Sequence, residues 1–382
     1  MTPEQFFPHV INFFLPFDFF FCTFILMDEK SDKYFEGRGS QVNTKNPYLK
    51  QQYVQEHIEV IDEELLTDSR TQYFFETPKK IINKVESPDI PAMYSMNPYQ
   101  GCEHGCIYCY ARNVHQYWGF SAGLDFERKL IIKRNAAELL EKQFMNKNWI
   151  VSPIMFSGNT DCYQPIERKE KITRSMLEVL LRFKHPVSMI TKNSLILRDI
   201  DILKEMAKLN LVHVMVSITS LKEELRLTME PRTVTAKRRL QVIEQLNKNG
   251  IPCGVMTAPI IPGLNSDEIP SLIKAAAEHG ADCAGYTIVR LNGAIADIFT
   301  DWIHKNFPDR AEKVLNHIKS AHGGTLNDSR YGKRMRGEGN IVESIKQLFK
   351  SSVKKYFKGK DKFQFDLNLF SRPNETKQLA LF

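Results

Sequence analysis

From Ser95 onward, short apolar runs alternate with stretches in which apolar residues recur every three or four positions. The first pattern is a strand signature and the second a helix signature. Residues 95–98, 151–156, 187–191, 212–219, 252–261 and 281–289 read as strands. Between them 134–146, 170–183, 198–209, 235–249 and 266–279 read as helices, the second carrying Met176, Leu177, Leu180 and Leu181 on one face. Gly250 and Gly280 follow two of these helices at natural C-cap positions, and Ser266 is expected to cap the last. Strand–helix alternation with short connections predicts a parallel sheet of about six units. In closed sheets of this kind reactive groups gather at the carboxyl ends of strands. The loop 157–165, Lys192, Ser217 and Ala258–Pro259 all fall at such ends.

The flanks read differently. Residues 1–27 are rich in Phe, Ile and Leu but are interrupted by Pro8, His9, Asn12, Pro16 and Asp18. Their clean apolar run, 19–27, is too short to span a bilayer. No basic region precedes it and no small-residue cleavage site follows, which argues against a secretory signal. Met27 is expected to be the physiological start, with residues 1–26 an upstream, non-native or disordered extension. Residues 28–94 form a polar lead-in with a strand near 57–61, and Pro78, Pro88 and Pro91 favour extended chain. A barrel core over 95–292 follows, then a helical, basic region over 293–369. That region holds helices at 294–306, 308–322 and 341–357, with Ile345, Leu348 and Phe349 expected to face inward. The tail, 370–382, ends in Gln378-Leu379-Ala380-Leu381-Phe382.

Composition bounds the class. A chain of 382 residues, 42% hydrophobic and 25% charged, builds a globular core. The net charge of +7 is uneven: residues 330–362 carry eleven Lys and Arg against three Asp and Glu. Such a block is either a nucleic-acid footprint or a solvated helical face. Within it Arg330, Lys333, Arg334 and Arg336 sit in a glycine-punctuated loop suited to phosphates or to covering the barrel mouth. Seven cysteines, three of them clustered, do not form a disulfide framework and suit a reducing, cytoplasmic setting with no membrane span.

The chemistry concentrates in Asn97-Pro98-Tyr99-Gln100-Gly101-Cys102-Glu103-His104-Gly105-Cys106-Ile107-Tyr108-Cys109-Tyr110-Ala111-Arg112. Cys102, Cys106 and Cys109 stand at C-x3-C-x2-C spacing on a loop with two glycines, so their thiolates can converge on one metal centre. Three thiolates are one short of the set that usually holds a four-iron cluster, and an incomplete shell is the mark of a reactive site. Zinc, with His104 as a fourth ligand, is the alternative the spacing leaves open.

C-x3-C-x-aromatic-C, with Tyr108 as the aromatic, resembles the signature of the radical S-adenosylmethionine (SAM) superfamily. The longer context, with Gly123-Leu124-Asp125-Phe126-Glu127 downstream, is similar to the branch that includes spore photoproduct lyase. The resemblance covers about residues 90–292. It implies a partial (β/α)6 barrel and a [4Fe-4S] cluster on Cys102, Cys106 and Cys109, whose remaining iron is chelated by the SAM amino and carboxylate groups. It implies reductive cleavage of SAM to a 5'-deoxyadenosyl radical that takes hydrogen from a substrate, with a flavodoxin or ferredoxin as electron donor. Asn159 or Asp161 would then accept from the SAM ammonium, Lys192 would meet its carboxylate or ribose, Ser217 would reach SAM, and Tyr108 would pack near the adenine. The branch keeps a hydrogen-donating cysteine in the loop after strand two, in register with Gly158 here; Cys162 lies nearby and is the candidate donor. Cys253 and Cys283, in apolar strands, read as core. The terminal QLALF resembles peptides that dock on the bacterial sliding clamp, and Gln378, Leu379, Leu381 and Phe382 would be its anchors. A DNA lesion is the substrate the branch suggests. RNA, protein or small-molecule substrates, and a non-catalytic iron–sulfur module, are the alternatives.

Overall fold

The computed structural model describes residues 34–48, 70–90, 92–359 and 362–373, and the elements below belong to the unit Phe35–Phe382. They include strands β1 (Gln72–Phe75), β2 (Ile82–Lys84), β3 (Tyr94–Met96), β4 (Tyr99–Gln100) and β5 (Lys129–Ile132). After these come β6 (Ile154–Phe156), β7 (Val187–Thr191), β8 (Val212–Ser217), β9 (Cys253–Ile260) and β10 (Ala284–Ile288). Seven strands form one sheet in the order β10-β9-β8-β7-β6-β3-β2. The six from β3 to β10 run parallel, and β2 joins antiparallel to β3. The chain therefore steps to a neighbouring strand at each crossover, which is the partial (β/α)6 barrel of an α/β fold.

Parallel strands cannot be joined by tight turns, so each crossover brings a helix that must cover the sheet. Val187, Met189, Val214, Val216 and Val255 on the strands are buried, as are Met176, Leu180, Leu203, Met206, Ile243, Leu246 and Ile273 on the helices. Burial of both layers is what made the two periodicities readable.

The elements are shorter than the sequence patterns. The third strand of the barrel starts at Val187 as expected, but β6 spans only Ile154–Phe156, and the helix expected at 170–183 is Ile172–Arg182, separated from a turn at Glu167–Glu170 by Lys171 at φ 55°. Ser266 opens a 3-10 turn, Ser266–Glu268, and the α-helix proper begins at Ile269. Ala258 and Pro259 lie inside β9 rather than after it. The lead-in contributes β2 to the barrel sheet and β1 to a second sheet, β1-β5-β4. Among the inward residues expected in helix Asn340–Tyr356, Ile345 and Phe349 are buried but Leu348 is exposed. The expected extension at 1–27, the strand at 57–61 and the QLALF tail lie outside the described residues.

The basic loop runs along the last strand and reaches the first. Ile288 of β10 donates its N–H to Met335 O at 3.0 Å. Arg334 Nε lies 2.5 Å from Asp89 Oδ2, and Gly332 N–H donates to Asp89 Oδ1 at 2.6 Å. Asp89 sits in the connection between β2 and β3, so the loop spans the gap that an open sheet leaves between its two edges.

Candidate active site

The cysteine loop follows β4 and precedes helix Ala111–His115. Its backbone is fixed from several directions: Cys102 N–H donates to Phe126 O, Ile107 N–H to Met229 O, and Arg232 N–H to His104 O. Gly105 at φ 68° takes a conformation that suits glycine, and a Cβ there would lie 2.8 Å from Glu127 Oε2. The loop is also held from within. Arg112, wholly buried, donates to the carbonyls of Gly105, Cys106, Ala122 and Gly123. Glu127 accepts from the N–H groups of Gly39 and Ser40, so the lead-in is strapped across the loop.

The donor set discriminates between the two metals. Zinc holds thiolates about 2.3 Å away, which puts tetrahedral sulfurs about 3.8 Å apart. Among the described residues, no trio drawn from Cys102, Cys106, Cys109 and His104 brings its donor atoms within 4.8 Å of one another. His104 is occupied elsewhere: Nδ1 lies 3.4 Å from Asp161 Oδ2 and Nε2 3.2 Å from Asn193 Nδ2. Wider spacing suits a cubane, in which each thiolate takes its own iron. Burial pushes the Cys102 thiol well above its ordinary range, and pushes Cys106 up to about 12 against the opposing charge of Lys192. Thiolates are stable here when a cation replaces their protons.

The remaining candidates ring the carboxyl ends of the strands. Lys192 follows the last residue of β7, with Nζ 5.8 Å from the centroid of the Tyr108 ring. No ion pair among the described residues reaches it. Burial alone would lower its pKa, but the Cys106 thiol and Glu230 outweigh burial and raise it, so it stays cationic. Ser217 ends β8, buried, and its hydroxyl makes no hydrogen bond among the described residues. Asn159 donates from Nδ2 to Gln100 Oε1 at 2.9 Å, which leaves its own Oδ1 as an acceptor. Gln100 in turn has a buried Nε2 with no partner among the described residues. Asp161, in contrast, is used within the protein: it accepts from Thr191 Oγ1 at 2.8 Å, Lys192 N–H at 2.8 Å and Tyr163 N–H at 2.9 Å. It fixes the end of β7 and thereby the start of the Lys192 side chain. Cys162 packs fully buried in the apolar core that also holds Tyr99 and Tyr163, its carbonyl accepting from Thr173 Oγ1 at 2.6 Å.

One residue that organises the site, Glu230, escaped the sequence reading. Glu230 accepts from the Tyr108 hydroxyl and from Thr219 Oγ1, and pairs with Arg239 at 2.6 Å. Burial would raise its pKa, but Arg239 and then Lys192 hold it at about 2. A fixed anion thus orients Tyr108 beside the Lys192 cation. The signal available was a lone Met229-Glu230-Pro231-Arg232 run between two helical patterns, which spacing alone does not connect to a site 122 residues away.

A parallel barrel whose mouth gathers three cysteines on one loop, a half-buried lysine in no ion pair among the described residues and an unsatisfied amide donor has the parts to hold a metal centre beside a small charged molecule. A family model described as "Radical SAM superfamily" matches residues 96–276. The uncharacterized protein Rv2578c of Mycobacterium tuberculosis is 31% identical over 237 residues, 60% of this chain and 69% of that one. The uncharacterized protein MJ0683 of Methanocaldococcus jannaschii is 29% identical over 238 residues, 62% of this chain and 85% of its own. Among solved structures, spore photoproduct lyase complexed with dinucleoside spore photoproduct superimposes with a TM-score of 0.53 at 14% identity, covering 75% of this chain and 80% of that one. A variant of that lyase with bound AdoMet and the same dinucleoside gives 0.51 at 15% identity, over 77% and 82%. At such identities the likeness establishes the fold. The chain belongs to the radical SAM superfamily, and its cofactors are a [4Fe-4S] cluster and SAM. No helix among the described residues is long and apolar enough to cross a membrane.

Proposed function

We propose that this chain is a radical SAM enzyme that abstracts hydrogen from a nucleic-acid substrate, a lesion in DNA first among them, at the carboxyl mouth of its barrel. When bound, cluster and SAM together supply one-electron cleavage of a carbon–sulfur bond and a strong hydrogen acceptor. The observation that carries the reading is Lys192, a half-buried cation in no ion pair among the described residues, its Nζ 5.8 Å from the centroid of the Tyr108 ring in the cysteine loop. A SAM carboxylate supplies the missing charge, Asn159 Oδ1 offers an acceptor to the ammonium, and Ser217 offers its hydroxyl. Glu230 holds Tyr108 so that its ring closes the other side.

Support for the substrate class is of a different kind. Arg330 pairs with Asp328 and Glu338, Lys333 with Glu338, and Arg334 with Asp89, so these charges are largely answered within the chain. Arg336 is exposed, and Lys350, Lys354 and Lys358 form an exposed row at four-residue spacing along and just past helix Asn340–Tyr356. Phosphate contacts fall to these four. The dinucleoside bound by the lyase of similar fold points the same way.

The test is anaerobic turnover with ultraviolet-damaged DNA deuterated in its thymines. Release of 5'-deoxyadenosine carrying deuterium supports the reading. Unlabelled deoxyadenosine with damaged DNA, together with labelled product from deuterated RNA or protein, moves the substrate elsewhere.

A further inference from the structure

At the amino ends of the same strands, away from the cysteine loop, three ligand-type side chains meet. His213 lies at the start of β8, and Asp282 and Cys283 lead directly into β10. β9 runs between those strands, so their backbones are about 10 Å apart and the side chains must reach across it. They do so over Gly254, where a Cβ would stand 2.5 Å from Cys283 Sγ. The position is fixed by the ladder: Asp282 N–H donates to Cys253 O at 2.7 Å, and Val255 N–H to Cys283 O at 2.9 Å. His213 Nε2 is 3.2 Å from each carboxylate oxygen of Asp282 and 3.9 Å from Cys283 Sγ. One nitrogen, one carboxylate oxygen and one sulfur thus lie within 4.8 Å of one another. Cys283, expected from its apolar surroundings to be core, is only half-buried.

A thiol nucleophile activated by histidine needs the carboxylate on one ring nitrogen and the thiol on the other, so that the ring passes a proton between them. Here both partners face the same nitrogen, which defeats that relay. Convergence of three donors is what a shared cation requires. Zinc takes histidine nitrogen and carboxylate oxygen at about 2.0–2.2 Å and thiolate at about 2.3 Å, which sets tetrahedral donors about 3.3–3.6 Å apart. The separations of 3.2 and 3.9 Å bracket that range.

We propose that His213, Asp282 and Cys283 bind one zinc ion, with water in the fourth position. The His213 and Asp282 side chains keep 12% and 26% of their surface exposed, which leaves a path for the ion. The Phe363 ring, 5.1 Å from the His213 ring, shields one side. The ion ties β8 to β10 across β9 at the end of the barrel remote from the chemistry.

Cluster-loaded protein is equilibrated with zinc sulfate, desalted, and assayed for both metals. About one zinc per chain beyond the cluster iron is expected, with a sulfur scatterer near 2.3 Å at the zinc absorption edge. Cys283→Ser and His213→Gln should each cut zinc retention by at least about tenfold while iron content stays unchanged. Gly254→Ala should do the same by crowding the thiol, and if it does not fold the two ligand variants decide. No zinc in the parent, zinc retained in the ligand variants, or a first shell without sulfur overturns the proposal.

Discussion

Arg112 and Glu127 form an ion pair that is entirely buried, with 2.5 Å between guanidinium nitrogen and carboxylate oxygen. It joins the last residue of the cysteine stretch to the last of the Gly123–Glu127 stretch, so two separate sequence resemblances are one physical device. Every donor and acceptor of the pair has a partner, including the carbonyls of Gly105 and Cys106. Glu127→Gln keeps the shape and removes the anion, which strands a buried cation. Breaking such a pair costs about 3–5 kcal/mol. Denaturant unfolding should show a loss of that size, and iron recovered after reconstitution should fall with it, because the loop loses its anchor.

Lys192→Met should leave iron content and the cluster spectrum unchanged while weakening SAM. The loss of one charge-assisted contact, about 1.5–3 kcal/mol, corresponds to about ten- to a hundred-fold in Kd. Equilibrium binding of SAM to cluster-loaded protein measures it. Asp161→Asn, which disturbs the end of β7 rather than a ligand contact, should weaken SAM less. A larger effect at Asp161 would mean that its carboxylate meets SAM directly.

The contrast between these residues explains what could be read from the sequence. Strand–helix alternation was legible because the sheet buries one face against its crossover helices, and the cysteine loop because its spacing is local. Lys192 and Ser217 were legible as positions because strand ends define a barrel mouth. Glu230 was not, since its meaning lies in Tyr108, Lys192 and Arg239, which the fold alone brings together. The basic loop failed in the same way: composition showed its charge, but Asp89, the partner of Arg334, lies 245 residues away. Local pattern carries element and motif; it does not carry who neutralises whom.

Glu230 gives a pH signature. Its pKa of about 2 in the folded chain lies below an unfolded value near 4.3, so it adds stability in full above that unfolded value. The contribution, on the order of 3 kcal/mol, declines as pH falls from about 4.5 and is gone near 2. Acid unfolding of the metal-free chain, followed by circular dichroism, should therefore separate wild type from Glu230→Gln at neutral pH. The two curves should converge as pH falls through that window. A constant gap would assign the variant's defect to packing instead.

The Arg334–Asp89 pair links the two edges of the open sheet, and its consequence can be separated from any role in binding phosphates. The two side chains keep 17% and 9% of their surface, so the pair is partly desolvated and worth more than a surface bridge. Arg334→Gln and Asp89→Asn should each lower the melting temperature, and the double variant should lose less than the sum, with a coupling of about 1 kcal/mol or more. Neither change alters the exposed lysine row, so the salt dependence of DNA binding should keep its slope. Lys350→Glu with Lys354→Glu should behave in the opposite manner: melting unchanged, binding weaker, and the slope against log salt reduced by about two contacts. If Arg334 and the lysines instead altered binding alike, the loop would belong to the nucleic-acid surface and its pairing with Asp89 would be the state that substrate displaces.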